Sequence, residues 1–212
     1  MAAGAGNPVF AVSPQQLSRQ QFLTQFGGIY EHSDWVALAV LEAGLGPADD
    51  RINHLAERMA AIVDAAGKKQ QLALLCAHPE LAGKLAIDGG LTAGSTAEQA
   101  SAGLDRCSPE EFAAFRALNT AYGEKFGHPF IIAVRGLTRA DILAAFRRRI
   151  NNDKRTEFAT ALAEVHKIAH HTYLYDSLFH RKHYLCPDQL SHQNIELLYF
   201  HYINNYYFDQ DN

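Results

Sequence analysis

Three observations predict an all-α chain. Residues that start helices recur along it and are followed by apolar residues at helical spacing. Glycine and proline break the chain between those stretches, at Gly27-Gly28, Gly44 to Pro47, Gly67 and Asp88-Gly89-Gly90. Only residues 126–136, Phe-Gly-His-Pro-Phe-Ile-Ile-Ala-Val-Arg-Gly, carry the β-branched and aromatic content of a strand, and no second strand is available to pair with them. The expected fold is a single-domain helical bundle with one extended, buried segment near residues 126–136.

The elements follow in order. Ser13-Pro14 opens a helix over residues 15–26, with Leu17, Phe22 and Phe26 inward. Ser33 caps residues 34–42, where Trp35, Leu38 and Ala39 form the apolar stripe. Asp49 or Asp50 caps a longer helix through Leu55, Met59, Ile62 and Val63, closed by Gly67. Residues 69–77 lead to a corner at His78-Pro79. Ser95 starts the next helix, and Ser108-Pro109-Glu110-Glu111 caps one through Phe112, Phe115, Leu118 and Tyr122. The last two helices cover residues 138–151, with Ile142, Leu143, Phe146 and Ile150 inward, and 156 to about 170, with Phe158, Leu162, Val165 and Ile168 inward.

Composition narrows the function. A net charge of -4 argues against a nucleic-acid surface, and the run Arg147-Arg148-Arg149 reads as a solvated helix face, as do Asp34, Glu42 and Glu164. Three cysteines, Cys76, Cys107 and Cys186, are too few and scattered for a disulfide framework, which points to a reducing compartment. Residues 1–13 are Ala/Gly-rich without a basic region or long apolar run, and read as a flexible leader. No stretch has the roughly 18 consecutive apolar residues of a membrane span. The final Gln210-Asp211-Asn212 is not a peroxisomal address, so the cytoplasm is the expected location.

The chemistry centres on two stretches. Pro79 forces the backbone of His78 out of the helical region, which sets the imidazole at a helix end on a pocket rim. Ser95 is an N-cap with Glu98 at N3, followed by Gln99, so hydroxyl, carboxylate and amide gather within one turn. Each has a plain reading: a histidine before proline is more often a cap or a buried side chain, and a Ser/Glu pair stabilises any helix start. His128 beside Pro129 reads as structural.

Several longer motifs change that balance. Phe26 to Ala37, His-Pro-Glu-Leu-Ala-Gly-Lys at 78–84, residues 91–104, Asn119 with Tyr122, and residues 125–136 together resemble the OHCU decarboxylase family. The resemblance covers residues 14–170 and leaves 171–212 as a divergent tail. It implies an all-helical, cofactor-independent lyase that decarboxylates 2-oxo-4-hydroxy-4-carboxy-5-ureidoimidazoline to (S)-allantoin in urate degradation. It also implies a homodimer, and a peroxisomal location is known for such enzymes. Carried over residue by residue, the catalytic pair falls on His78 and Glu98. Pro79, Ser95, Thr96, Ala97 and Gln99 then line the substrate, and Phe130, Ile131, Ile132, Ala133 and Val134 meet its ring through the backbone. No cofactor or metal is implied. The partner is a small ureidoimidazoline, with neither nucleic acid nor membrane.

One departure stands out. The family carries an arginine a few residues beyond the Lys-Ile-Ala element, and here that place falls on Thr172. After Ala169 there is no further Ala, Gly or Val, and tyrosines crowd the tail, a break that suggests a segment of different origin. Two alternatives follow: a weakened or inactive ureide-binding relative, or metal binding by His170, His171, His180, His183 and Cys186 in the tail.

Overall fold

The structure, a computed structural model, describes residues 9–81 and 107–184, with side chains as far as residue 173. Among the described residues the regular structure is helical, in keeping with the expected class. Seven α-helices are described: α1 (Arg19–Phe26), α2 (Trp35–Ala43), α3 (Ile52–Ala65), α4 (Lys68–Ala77), α5 (Pro109–Phe126), α6 (Arg139–Arg149) and α7 (Lys154–Tyr184). Short 3-10 turns at Pro14–Gln16 and Pro47–Asp50 precede α1 and α3. The helix expected to start at Ser95 lies outside the described residues.

Side-chain caps fix several helix starts. Ser18, Ser108 and Thr138 each accept from the backbone three residues on, while Gln21, Glu111 and Asp141 reach back to the cap N–H. The expected start at Ser13-Pro14 is instead the 3-10 turn, and α1 waits for Ser18. Likewise α7 starts before Thr156, because the Asp153 carboxylate accepts from the amides of Arg155 and Thr156, both at 2.9 Å. At the far end of α5, Gly127 takes φ 77°, the left-handed conformation that closes a helix at little cost only for glycine.

Two apolar clusters form the interior. The first gathers Phe22 and Phe26 of α1, Val36, Ala37 and Val40 of α2, Ile52, Leu55, Met59 and Val63 of α3, Leu74 and Leu75 of α4, and Ala161, Leu162, Val165, Ala169 and Tyr173 of α7. The second joins Leu81, Phe115 and Tyr122 to Ile142, Leu143, Ala145 and Phe146. On α2 the buried face is Val36, Ala37 and Val40, and the expected residues Leu38 and Ala39 are only half-buried. The helix is apolar nearly all round, so spacing alone does not select a face.

The segment from Gly127 to Gly136 runs between the two clusters as non-helical, largely buried chain. Its side chains alternate as an extended backbone requires: Phe130 and Val134 enter the second cluster and Ile131 the first. A buried loop must place its peptide groups, and two charged side chains take them here. Arg149 Nη1 donates to the Ile131 carbonyl at 2.8 Å, and the Ala133 N–H donates to Glu164 Oε2 at 2.9 Å. Arg149 is buried and forms an ion pair with the buried Glu157 at 2.6 Å. Tyr122 and Asn152 also donate to Glu157. The solvated-face reading therefore fails for Arg149 and Glu164. Helical spacing reveals charge on a face, but not that another part of the chain will come to cover it.

Candidate active site

His78 ends α4, with extended dihedrals of φ -76° and ψ 139° imposed by Pro79. Its backbone N–H closes the last turn onto Leu75 O at 3.2 Å, and its Nδ1 lies 2.9 Å from Leu74 O. A carbonyl only accepts, so Nδ1 carries the hydrogen and a neutral ring keeps its lone pair on Nε2. Burial pushes the imidazole pKa below its usual value, against the opposing influence of the Leu74 carbonyl and the Glu31 carboxylate. The group offered at neutral pH is thus an uncharged imidazole of defined tautomer.

Glu31 and His32 reach this ring electrostatically from the turn between α1 and α2. His32 takes φ 46°, an uncommon conformation for a residue with a side chain. Tyr30 anchors the turn. Its hydroxyl lies 3.0 Å from His166 Nδ1, and His166 Nε2 lies 3.1 Å from Asp64 Oδ1. A carboxylate oxygen accepts, so His166 Nε2–H donates to Asp64, and the other nitrogen of the ring, Nδ1, is left to accept from Tyr30. Reading the sequence put Tyr30, Glu31 and His32 inside a motif without giving them a role.

The corner and the extended segment are neighbours. Cys76 Sγ lies 3.4 Å from Gly127 O, and Leu81 packs in the same cluster as Phe130 and Val134. Asn119 Nδ2 donates to Leu81 O at 2.9 Å, which ties the corner to α5. Within the segment, Phe130 stacks on Phe146 with ring centroids 3.8 Å apart and lies beneath the Arg149 guanidinium. Phe130, Ile131 and Val134 are side chains of the interior, so these three can meet a ligand only through their peptide groups. His128 is buried, in edge contact with Tyr122 and Phe158, as a structural histidine would be.

Glu98, Ser95, Thr96, Ala97 and Gln99 lie outside the described residues. Thr172 is half-buried on α7 and turns its hydroxyl back to Ile168 O at 3.0 Å. α7 itself runs through this position without a break. His170 contacts Asn53 at 3.2 Å. Among the described residues, no three His, Cys, Asp or Glu side chains gather as metal ligands would. Also among them, no helix is long and apolar enough to cross a membrane.

The helical bundle thus holds the His78 imidazole at the end of α4, and its chain neighbours Cys76 and Leu81 touch the extended segment. The family model described as OHCU decarboxylase matches residues 15–171, and the chain belongs to that family. It is 41% identical over 158 residues to the 2-oxo-4-hydroxy-4-carboxy-5-ureidoimidazoline decarboxylase of Haloferax volcanii, a match covering 73% of this chain and 90% of that protein. Among solved structures it resembles an (S)-allantoin synthase, with TM-score 0.60, 34% identity, and coverage of 77% of this chain and 52% of that one. An OHCU decarboxylase crystallised in the presence of (S)-allantoin shares the fold, with TM-score 0.55, 23% identity, and coverage of 71% and 94%.

Proposed function

We propose that the chain decarboxylates 2-oxo-4-hydroxy-4-carboxy-5-ureidoimidazoline to (S)-allantoin in urate degradation, with its own side chains and peptide groups and no cofactor. Loss of carbon dioxide breaks the bond from the ring carbon to the carboxylate, and the electron pair passes into the adjacent ring imine. A proton delivered to one face completes the product. His78 binds the substrate hydroxyl through Nε2 and handles its proton, with Glu98 as partner. Ser95, Thr96, Ala97 and Gln99 bond the substrate, Pro79 shapes the wall, and the peptide groups of residues 130–134 meet the ring. A site that excludes water favours the dispersed charge of the decarboxylated intermediate over the compact carboxylate.

The observation that carries this reading is the bond from His78 Nδ1 to Leu74 O, which leaves Nε2 as the reactive nitrogen. Circular dichroism of freshly generated substrate tests it. The protein is expected to build up an (S)-allantoin signal faster than the spontaneous reaction, and His78→Ala to lose about a hundredfold or more of that rate. A wild-type trace no different from the spontaneous one defeats the reading.

The enzyme is further proposed to work as a homodimer in the cytoplasm, on a small molecule and on neither nucleic acid nor membrane. The net charge of -4 and the free thiol of Cys76 support that setting. Sedimentation equilibrium at the 23.5 kDa mass of a single chain would overturn the dimer.

A further inference from the structure

Three residues of α7 stand seven apart: Glu157, Glu164 and His171. Seven residues of an α-helix advance almost two full turns, so the three lie within roughly 20° per step of one line along the helix. The extended segment meets that line residue by residue. Ile131 is held by Arg149, which Glu157 neutralises. The Ala133 N–H is held by Glu164. Arg135 lies in the electrostatic reach of His171. Only at Glu164 does α7 itself take a peptide group of the segment in these contacts. Lys167 Nζ occupies its other oxygen, Oε1, at 2.8 Å, which leaves Oε2 aimed at the segment.

In extended backbone the peptide groups of alternate residues face opposite edges. Ile131 C=O and Ala133 N–H are both turned to the helices, so the N–H and C=O of Ile132 are directed to the other edge. A slip of one residue would exchange the two edges and present the wrong groups to a ligand.

We propose that Glu164 is a positioning residue for the reaction, fixing the register of residues 131–133 so that the Ile132 peptide edge meets the substrate ring. This rests on the functional reading above, in which that segment binds substrate. Glu164 does not touch the reacting atoms and acts through the amide of Ala133.

The test compares Glu164→Ala with Glu164→Gln, which keeps an oxygen that can accept the bond. Glu164→Ala is expected to speed hydrogen exchange at the Ala133 amide, raise KM about tenfold with kcat changed less than threefold, and weaken (S)-allantoin binding by a similar factor. Glu164→Gln is expected to stay within about threefold of wild type in all three. If Glu164→Ala does not fold, Ala133→Pro removes the donor directly and is expected to give the same rise in KM. A folded variant with a freed Ala133 amide but unchanged KM and unchanged (S)-allantoin affinity overturns the positioning role and leaves the enzyme's function standing. A wild-type chain without decarboxylase activity, whose (S)-allantoin affinity still falls in Glu164→Ala, defeats the function and keeps the positioning role.

Discussion

His171 sits on α7 with its imidazole pKa pushed down to about 4, first by burial and then by the Arg135 guanidinium. The unfolded chain takes up that proton near pH 6.5, its usual value, whereas the folded chain resists until about pH 4. Over that window the unfolded state binds more protons, so stability falls as the pH falls. The full difference is up to about 3 kcal/mol. His78, His128 and His170 are lowered in the same direction by burial and add the same sign. Thermal melts are expected to show Tm dropping steadily from pH 7 to pH 5, and His171→Gln to flatten that slope. A Tm independent of pH in wild type would contradict the burial of these rings.

α7 brings the two apolar clusters together. On one face it contributes Ala161, Leu162, Val165, Ala169 and Tyr173 to the first cluster. On another, Glu157 neutralises Arg149 and accepts from Tyr122, which belongs to the second. Glu157 is fully buried, so its removal strands a buried guanidinium. Glu157→Gln is expected to cost about 3–5 kcal/mol in urea unfolding, the usual result of breaking a buried ion pair from one side. A loss under about 1 kcal/mol would mean that water reaches Arg149, contrary to its burial.

Across the whole molecule, the segment from Gly127 to Gly136 joins the clusters, with Ile131 in one and Phe130 and Val134 in the other. Unfolding is therefore expected to be one cooperative transition. The fluorescence of Trp35, which packs on the first cluster, should change at the same urea concentration as far-UV circular dichroism, and two separate midpoints would show that the clusters melt independently. Much of this architecture was legible in the sequence, because the cap at Ser108 and the periodic residues of α3 and α6 are local signals. The His78 corner was legible for the same reason, since Pro79 acts on its immediate neighbour. Arg149 and Glu164 were misread because their partners, Ile131 and Ala133, stand 18 and 31 residues away in the chain. Glu31 was passed over for a like reason: its influence on His78 crosses from one turn to another helix.

The bond between His78 Nδ1 and Leu74 O has one more consequence. The carbonyls of a helix's last turn lack partners within the helix, and here the imidazole satisfies one of them. Winding the end of α4 and aiming the ring are then a single event. In the role proposed for His78, the fold of α4 itself therefore sets the direction of the ring.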